Sequence, residues 1–582
     1  MKKFFTCENI VSALSILIFA VAYLFLALAY KGHFSFWEGN NYWEASVSYF
    51  LNCLQPAGLT PYIANFLQMF YRWHYVGCVV LMLPAVVVGI SCRLVFKILQ
   101  LPNSVLPLTL LPVVALLEFL LDKLCFLSVG FYVAWFYLAL AIYVVFVNGK
   151  SIRSAIVLSL LLYPFLFFLL PSGFVILFYL LLFAVDILLL KERKRSALIL
   201  KNLFMLLFAF LVPIVWSFLV NKSLPNNIYS LNITLFEEGY RAKVLFFYFL
   251  PFLFLLLAYF YRRRTPKINQ WFLFVVSLFA VGLVMFGFSV YEREKGWERF
   301  FCIESACNNR DWDKVLLFSE CQKNKTDNLF PYTVIAHAAK GELPQKMFEY
   351  PLTAKGVFFP ESNLKNINIQ ANVAFYQACG MLNTAIVYAF QNSSIRTNEY
   401  DVLTLKQLSS LNALAGAKNV SEKYLNKLQN TLFYDDFVEE WSSFEFPKIN
   451  MANADSILFF NSGDKHLELI ELLDRQYNPV AADFLLCSLL KMRDSDNFVK
   501  YFFKYYPYRE CDVLPKAYEE FLVMAPKANI ALPNTDFKIS EATRKRFEQF
   551  LSIYTSNSDG RIKRLQLKSF SDTWFYYAVY GK

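Results

Sequence analysis

Long apolar runs fill the first half of this chain and constrain its fold more than any other feature. A membrane-spanning helix needs about 20 mostly apolar residues. Segments that approach this length lie at about 9–30, 75–98, 104–121, 125–147, 154–170, 172–190, 202–220, 244–261 and 270–290. The sequence therefore predicts an all-α fold that begins with a polytopic transmembrane helical bundle of about nine spans.

The second half of the chain differs sharply from the first. The whole chain is 57% hydrophobic and 17% charged, whereas soluble domains carry about 25% charged residues. Nearly all of the apolar excess lies before residue 291. We therefore predict a transmembrane helical domain at 1–290, with a long first outer loop at 31–74, and a soluble helical domain at 291–582.

The net charge of +11 does not indicate nucleic-acid binding. The Lys and Arg clusters are short and lie between apolar runs, where they orient helices, and the sequence has neither a zinc-type Cys/His spacing nor a Gly-rich phosphate loop. With the N-terminus in the cytoplasm, fifteen Lys and Arg residues, Lys201 among them, flank the spans on the inside and six on the outside. Nine spans then place residues 291–582 outside the cytoplasm.

Residues from about 300 to 530 carry pairs of helical segments with small residues at the contacts. The segments 328–350, 367–391 and 402–429 share this layout, each with alanines followed by a glycine: Gly341, Gly380 and Gly416. Their starts, near 330, 367 and 402, are about 35 residues apart, close to the 34-residue period of tetratricopeptide (TPR) repeats. The sequence predicts a TPR-like repeat domain, with an unrelated helical bundle as the alternative.

Charged residues are sparse inside the apolar runs. Asp186 lies five residues before the basic cluster KERKR, so we expect it to pair with that cluster or to extend towards the membrane surface. Glu118 lies deeper in its span, four residues before Asp122. Because an ionised side chain is costly within a membrane, Glu118 is a candidate functional residue.

The first outer loop contains the most suggestive residues of the chain. It begins with the stretch GHFSFWEGNNYWEASVSYFLNC, in which Glu38 and Glu44 each follow a tryptophan. Two amphipathic segments, separated by Pro56-Ala57-Gly58, predict short helices along the membrane surface.

This arrangement resembles the GT-C class of sugar transferases, which use polyprenyl-phosphate-linked donors. The shared layout is an acidic residue just beyond the first span, juxtamembrane helices, many further spans and a soluble outer domain. In that class an acidic residue of the first outer loop acts as a base or metal ligand, a role that the resemblance assigns to Glu38 or Glu44. The chain departs from the class pattern because each Glu stands singly after a Trp, where the class usually has an Asp or paired acids. The whole chain, including PAGLTPYIANFLQMFY and the terminal DTWFYYAVYGK, also resembles an uncharacterised family of bacterial multi-pass membrane proteins with a TPR-like C-terminal domain.

A transferase of this kind needs a base for the acceptor hydroxyl and cations for the donor phosphate. Glu38 or Glu44 would serve as the base, and the outer-side residues Arg72, His74, Arg241 and Lys243 as the phosphate contacts. Each residue also has an ordinary interpretation, because Trp-Glu pairs anchor proteins at membrane interfaces and cations flank spans. The sequence predicts no zinc site, and it leaves the cofactor, the donor and the acceptor undetermined.

A second functional hypothesis needs no active site. A TPR-like domain displayed outside the membrane would recruit envelope proteins along its concave face, and the membrane domain would serve as its anchor. A transporter is disfavoured, since the sequence has no chain of buried acids and no paired broken helices.

Overall fold

The computed structural model describes residues 7–120, 126–189, 195–221, 238–263, 269–290, 297–320, 329–349, 358–360, 369–395, 401–444, 464–507, 513–533, 538–556 and 560–581. Throughout these residues the chain is helical, with no β-strand. It forms two compact units, residues 1–298 with 430–432 and residues 299–429 with 433–582. The all-α prediction is therefore confirmed.

Helices up to residue 290 account for the apolar half of the chain. They are α1 Cys7–Ala29, α2 Lys31–Gly39, α3 Val47–Cys53, α4 Leu59–Gln68, α5 His74–Ile98, α6 Leu111–Leu120, α7 Leu127–Val147, α8 Ile152–Leu169, α9 Ser172–Leu189, α10 Arg195–Asn221, α11 Glu238–Arg263 and α12 Gln270–Val290, with 3-10 segments at Met69–Arg72 and Asn103–Leu110.

Eight helical segments of the described chain are long and apolar enough to cross a membrane. They coincide with the first eight predicted spans, the third being the 3-10 segment Asn103–Leu110 continued by α6. The ninth predicted span falls on α12, whose described apolar part, Gln270–Leu283, is shorter. Eight such helices indicate a multi-pass membrane protein.

The first compact unit, residues 1–298 with 430–432, is here called the membrane unit, and its core is centred on α7. Most of its side chains are buried, and it packs along α5. Gly130 allows a close approach here: a Cβ at this position would lie 2.8 Å from Leu120 Cδ2 and 3.3 Å from the Cβ of Pro84. A side chain at residue 130 would therefore push α7 away from α5 and α6.

Shorter helices build the second half of the chain. They are α13 Trp297–Asn308, α14 Trp312–Glu320, α15 Phe330–Ala339, α16 Leu343–Lys346, α17 Ile369–Ala378, α18 Leu382–Ile395, α19 Val402–Leu414, α20 Lys418–Gln429, α21 Asp435–Ser442, α22 Lys465–Arg475, α23 Pro479–Met492, α24 Ser495–Tyr505, α25 Lys516–Met524, α26 Glu541–Thr555, α27 Gly560–Gln566 and α28 Trp574–Tyr580, with 3-10 turns at Ala525–Ala528 and Leu567–Phe570.

Five helix pairs of this unit are joined by the same turn. In each, a residue one or two positions after the first helix has a positive φ, and the N–H that follows it bonds back to the carbonyl five residues earlier, as in a Schellman motif. The positive-φ residues are Arg310, Gly341, Gly380, Gly416 and Arg493. The three glycines of the predicted repeats are thus helix-terminating residues, and α15, α17 and α19 begin within two residues of the expected starts.

The second unit is not a simple linear array of these pairs. In a linear solenoid each repeat contacts only its neighbours. Here α23 packs against α15 and α16, and the Asn478 side chain before it donates to the carbonyl of Cys379 at 3.0 Å. The later helices therefore fold back onto earlier ones. A TPR-like assignment for the unit remains a prediction.

Adjacent buried glutamates on α25 hold two of the last helices. Glu519 accepts hydrogen bonds from the Ser540 N–H at 2.9 Å and from the Thr543 hydroxyl at 2.7 Å, at the start of α26. Glu520 accepts from the Trp574 N–H at 2.6 Å, at the start of α28. Carboxylates at helix N-termini satisfy N–H groups that have no partner within the helix.

Candidate functional site

The predicted first outer loop folds into a compact layer, here called the cap, made of α2, α3, α4 and the 3-10 turn Met69–Arg72. The cap is bonded to the C-terminal turn of α8, whose last carbonyls have no partner within the helix. The Ala57 N–H donates to the Phe167 carbonyl at 3.0 Å, and the Thr60 hydroxyl donates to that of Leu169 at 2.6 Å. The predicted breaker at Pro56-Ala57-Gly58 thus attaches the cap to a span.

Both tryptophans of the opening stretch are buried within the membrane unit. Trp37 is 7% exposed and packs its ring against Phe126, with centroids 5.0 Å apart. Trp43 is 8% exposed and packs against Phe66 at 5.0 Å. The interpretation of these residues as interfacial anchors is therefore wrong for their rings, which contact protein and hold the cap together.

Glu38 and Glu44 are both half-buried. Glu38 lies in the last turn of α2, and Glu44 lies in the segment before α3. The Tyr42 hydroxyl donates to Glu44 Oε2 at 2.6 Å, and burial together with this carboxylate raises the pKa of Tyr42 well above its ordinary value. Glu44 is thus held in place by the hydroxyl of a neutral phenol.

Arg72 and His74 lie at the other end of the cap. Arg72 is exposed at the end of the 3-10 turn, and α2, which carries Glu38, packs directly against that turn. His74 is half-buried, with Nε2 hydrogen-bonded to the Ala27 carbonyl at 2.7 Å and the ring edge-to-face on Phe34. The fold therefore brings the elements of Glu38 and Arg72 together, whereas His74 is committed to a structural contact.

A buried histidine of the cap, His33, packs against three aromatic rings. His33 is 2% exposed and lies between Tyr30, Phe34 and Trp37, with centroids 5.7–6.3 Å away. Burial lowers its pKa to about 4. At neutral pH His33 is uncharged, so it adds no positive charge to a phosphate site.

Arg241 and Lys243, the other two predicted phosphate contacts, lie in the first turns of α11. Their side chains lie outside the described part of the structure. Asp122, the predicted neighbour of Glu118, also lies outside the described residues, and Glu118 itself is half-buried on α6.

A buried polar cluster joins three spans and was not predicted from the sequence. Asp186 of α9 is fully buried and accepts hydrogen bonds from Lys201 Nζ at 2.6 Å and Asn202 Nδ2 at 3.0 Å, both on α10. The Tyr143 hydroxyl of α7 donates to Asp186 at 2.6 Å and accepts from Lys201 at 2.7 Å. We call Tyr143, Asp186, Lys201 and Asn202 the membrane cluster.

This cluster corrects one expectation, since Lys201 is a buried helical residue rather than a loop cation. Asp186, expected to pair with KERKR or to extend towards the membrane surface, is buried and pairs with Lys201 on the next helix. Residues 191–194 of KERKR lie outside the described residues. The signal was present in the sequence: Asp186 lies in the last turn of one apolar segment and Lys201 near the start of the next. A short connection makes such helices antiparallel, which places these two positions side by side.

A comparable network lies in the second unit. Lys465, at the start of α22, is 8% exposed and donates to Asn372 Oδ1 and to the Tyr376 hydroxyl of α17, both at 2.9 Å. Tyr376 in turn donates to Glu468 at 2.6 Å. The Lys465 ammonium lies 4.4–5.6 Å from the ring centroids of Phe375, Tyr376 and Tyr388. In the part of the chain that is described, no group of three or more His, Cys, Asp or Glu residues could hold a metal ion.

Comparison with known proteins gives a family and no activity. The model of a family of unknown function, DUF6057, matches residues 7–581. No curated protein and no solved structure matches the chain.

Proposed function

The chain belongs to DUF6057, a family of unknown function, and from this premise we propose that it is a GT-C-like membrane transferase. In this proposal it uses a lipid-linked sugar donor at the outer face of a bacterial inner membrane. The observation that carries the proposal is the packing of α2 against the turn Met69–Arg72. A carboxylate on one element and a guanidinium on the other are the two charges that such a reaction needs.

The cap supports this role because it is rigid where it meets the spans. Buried tryptophans and the bonds from Ala57 and Thr60 to α8 fix it in place, so Glu38, Glu44 and Arg72 sit on a preorganised layer. A base must be held in position relative to its acceptor hydroxyl to be effective. Half-burial leaves both carboxylates accessible to an acceptor while limiting their mobility.

The two carboxylates have different expected roles. Glu44 accepts a hydrogen bond from Tyr42 through one oxygen, Oε2, so its other oxygen, Oε1, would take the acceptor proton. Glu38 lies on α2, the helix that packs against the turn that ends at Arg72. We therefore assign the base role to Glu44, and to Glu38 a role in positioning Arg72.

The test is to replace Glu44 by Gln in the full chain, expressed in a deletion strain, and to profile surface glycans. Loss of a glycan with Glu44→Gln, and retention with the exposed control Glu541→Gln, would support the proposal. The Glu38→Gln variant should raise the donor concentration that the reaction requires rather than abolish the product. Unchanged glycans with both cap glutamates replaced would overturn the transferase.

A second candidate function is recruitment of envelope proteins by the second unit. It is favoured by the five helix pairs with identical turns, since stacked helix pairs offer extended binding surfaces. Under this alternative, the variant with both cap glutamates replaced would restore every phenotype of the deletion strain.

Both candidates require the second unit to face outward. Fusion of alkaline phosphatase after residue 300 tests this orientation, because the enzyme is active only outside the cytoplasm. An inactive fusion would overturn the orientation and with it both proposals.

A further inference from the structure

Helix α27 near the C-terminus carries an outward face that neither proposed function uses. Its sequence, GRIKRLQ, is followed by the 3-10 turn Leu567–Phe570. Leu567 is fully buried and Phe570 is 7% exposed, and both belong to a small core with Phe547, Phe550 and Phe575. This core fixes the helix on the unit, so the exposed side chains of α27 belong to an ordered surface.

Two large apolar side chains lie on the outward face. Ile562 is 52% exposed and Leu565 is 77% exposed. Because they are three residues apart on a helix, they lie on the same side. Exposed side chains of this size on a short ordered helix cost free energy in water unless something covers them.

The same face is strongly basic. Arg561 and Arg564 are exposed beside the two apolar residues, and Lys568 is exposed on the following turn. At 100° per residue, Arg564, Arg561, Leu565 and Ile562 follow one another around the helix, cations on one side and apolar groups on the other. Arg564 also lies 5.9 Å from the Tyr580 ring, which holds it near the surface of the unit.

We propose that this face of α27 binds the anionic headgroups of a lipid bilayer, with Ile562 and Leu565 inserted at the headgroup boundary. Apolar groups flanked by arginines and lysines are the pattern of a helix that lies on a membrane surface. The same chain carries eight helices long enough to span a membrane, so the second unit is covalently tethered to a protein unit that a bilayer would hold. The proposal is independent of the transferase, because no cap residue takes part in it.

Charge complementarity selects anionic lipid among the alternatives. Each basic side chain near an anionic surface strengthens binding, and removing two reduces the equilibrium constant for contact about thirtyfold. An exposed apolar residue on an acidic helix offers a contrast: Leu467 of α22, 52% exposed, lies beside Glu468 and close to Glu471. It matches Ile562 in exposure and lacks the cations.

The experiment uses the purified full chain in nanodiscs of phosphatidylcholine alone, or of equal parts of phosphatidylcholine and phosphatidylglycerol. Hydrogen exchange of the backbone amides of residues 560–566 is followed by mass spectrometry. We expect slower exchange in the phosphatidylglycerol discs only. The difference should be lost with Arg561→Gln/Arg564→Gln, lost with Ile562→Ser/Leu565→Ser, and kept with Leu467→Ser.

The remaining outcomes overturn the proposal. Equal exchange in the two nanodiscs would mean that anionic lipid does not cover the face. Exchange in lipid-free detergent that is as slow as in the phosphatidylglycerol discs would mean that the slowing needs no lipid surface. Slowing by inorganic phosphate in phosphatidylcholine discs would mean that a free anion, rather than a membrane surface, is bound. All the replaced side chains are exposed, so the variants should retain the fold, which the unchanged exchange of α23 would verify.

Discussion

Each unit of the molecule buries a lysine beside a tyrosine, and the two lysines differ in how their charge is compensated. In the membrane cluster, Tyr143 bridges Lys201 and Asp186; in the second unit, Tyr376 bridges Lys465 and Glu468. The bridging distances are similar, at 2.6–2.9 Å. Lys201, however, also bonds its carboxylate directly at 2.6 Å, whereas Lys465 reaches Glu468 only through the hydroxyl.

The difference follows from the surroundings of the two carboxylates. Asp186 is fully buried, so neither member of its pair is stable there without the other. Glu468 is half-buried and retains contact with water. Burial lowers the pKa of Lys465 to about 8, partly offset by the charge of Glu468. The comparison indicates that a buried lysine needs a directly bonded carboxylate where both charges are excluded from water. Where the carboxylate keeps contact with water, as Glu468 does, a tyrosine hydroxyl and aromatic rings stabilise the lysine.

The largest expected effect comes from removing one member of the buried pair. Replacing Lys201 by Met would remove the direct cationic partner of the enclosed Asp186, and breaking a buried pair in this way typically costs about 3–5 kcal/mol of unfolding free energy. Asp186→Asn, which leaves Lys201 unpaired, should cost about as much. We expect either variant to lower the thermal midpoint of the purified full chain in detergent far more than Lys465→Met does.

The double variant Asp186→Asn/Lys201→Met is the control for this prediction. Because it removes both charges, it should recover most of the stability lost by either single change. Equal midpoints for wild type and Lys201→Met would contradict the interpretation of the cluster as an obligatory pair.

The second-largest effect is a dependence of folding stability on pH, which we expect in the second unit. The folded unit binds the Lys465 proton with a pKa of about 8, against 10.5 in the unfolded chain. Between these values the unfolded chain binds more protons, so the stability of the unit rises with pH across this window. This difference in pKa corresponds to about 3 kcal/mol of unfolding free energy. The measurement is the urea midpoint for proteolysis of the second unit in the full chain, at about pH 7 and about pH 10.

Lys465→Met should remove this rise, while the exposed control Lys545→Met should keep it. A midpoint that falls from about pH 8 to about pH 10 in wild type alone would contradict the assignment.

The sequence predicted the fold well where local patterns decide it. Runs of apolar residues located the eight spans, and Gly341, Gly380 and Gly416 marked helix ends because helices commonly terminate at a glycine with positive φ. Two further turns of the same kind, at Arg310 and Arg493, were not predicted, because arginine at that conformation has no sequence signature. The packing of α23 on α15 depends on contacts between distant segments, which no local pattern encodes.

Candidate sites were less predictable for a related reason. The location of Glu38 and Glu44 between the first two long apolar helices follows from the apolar runs, but the burial of Trp37 and Trp43 depends on Phe126 and Phe66 in other elements. Both buried lysines were missed because each acquires its partners from a separate helix. Lys201 was predicted to lie in a loop. No local pattern indicated a partner for Lys465, because Asn372 and Tyr376 lie about 90 residues earlier in the chain.

A third, smaller effect isolates the hydroxyl that links Lys465 to Glu468. Tyr376→Phe removes the acceptor for the ammonium and the donor to the carboxylate, and hydrogen bonds to charged groups contribute about 1.5–3 kcal/mol. Since the charged form of Lys465 loses a partner, its pKa should fall below about 8. The rise in stability should therefore begin at lower pH, which the same urea measurement at several pH values detects. An unchanged onset would mean that the ring faces, rather than the hydroxyl, stabilise the ammonium.

The smallest effect is expected at an ion pair that is exposed, and it completes the comparison. Lys545 and Glu541 on α26 are 2.7 Å apart, as close as the buried pair, yet their side chains are 69% and 80% exposed. Water and salt screen both charges, so Lys545→Met should change the unfolding free energy by at most about 0.5 kcal/mol. The thermal midpoint of the full chain should barely move. Added salt should abolish the remaining difference, whereas the effect of Lys201→Met should survive it. If Lys545→Met lost as much unfolding free energy as Lys201→Met, the distance between the charges, rather than their burial, would set the strength of these ion pairs. The contrast between the two buried lysines would then no longer hold.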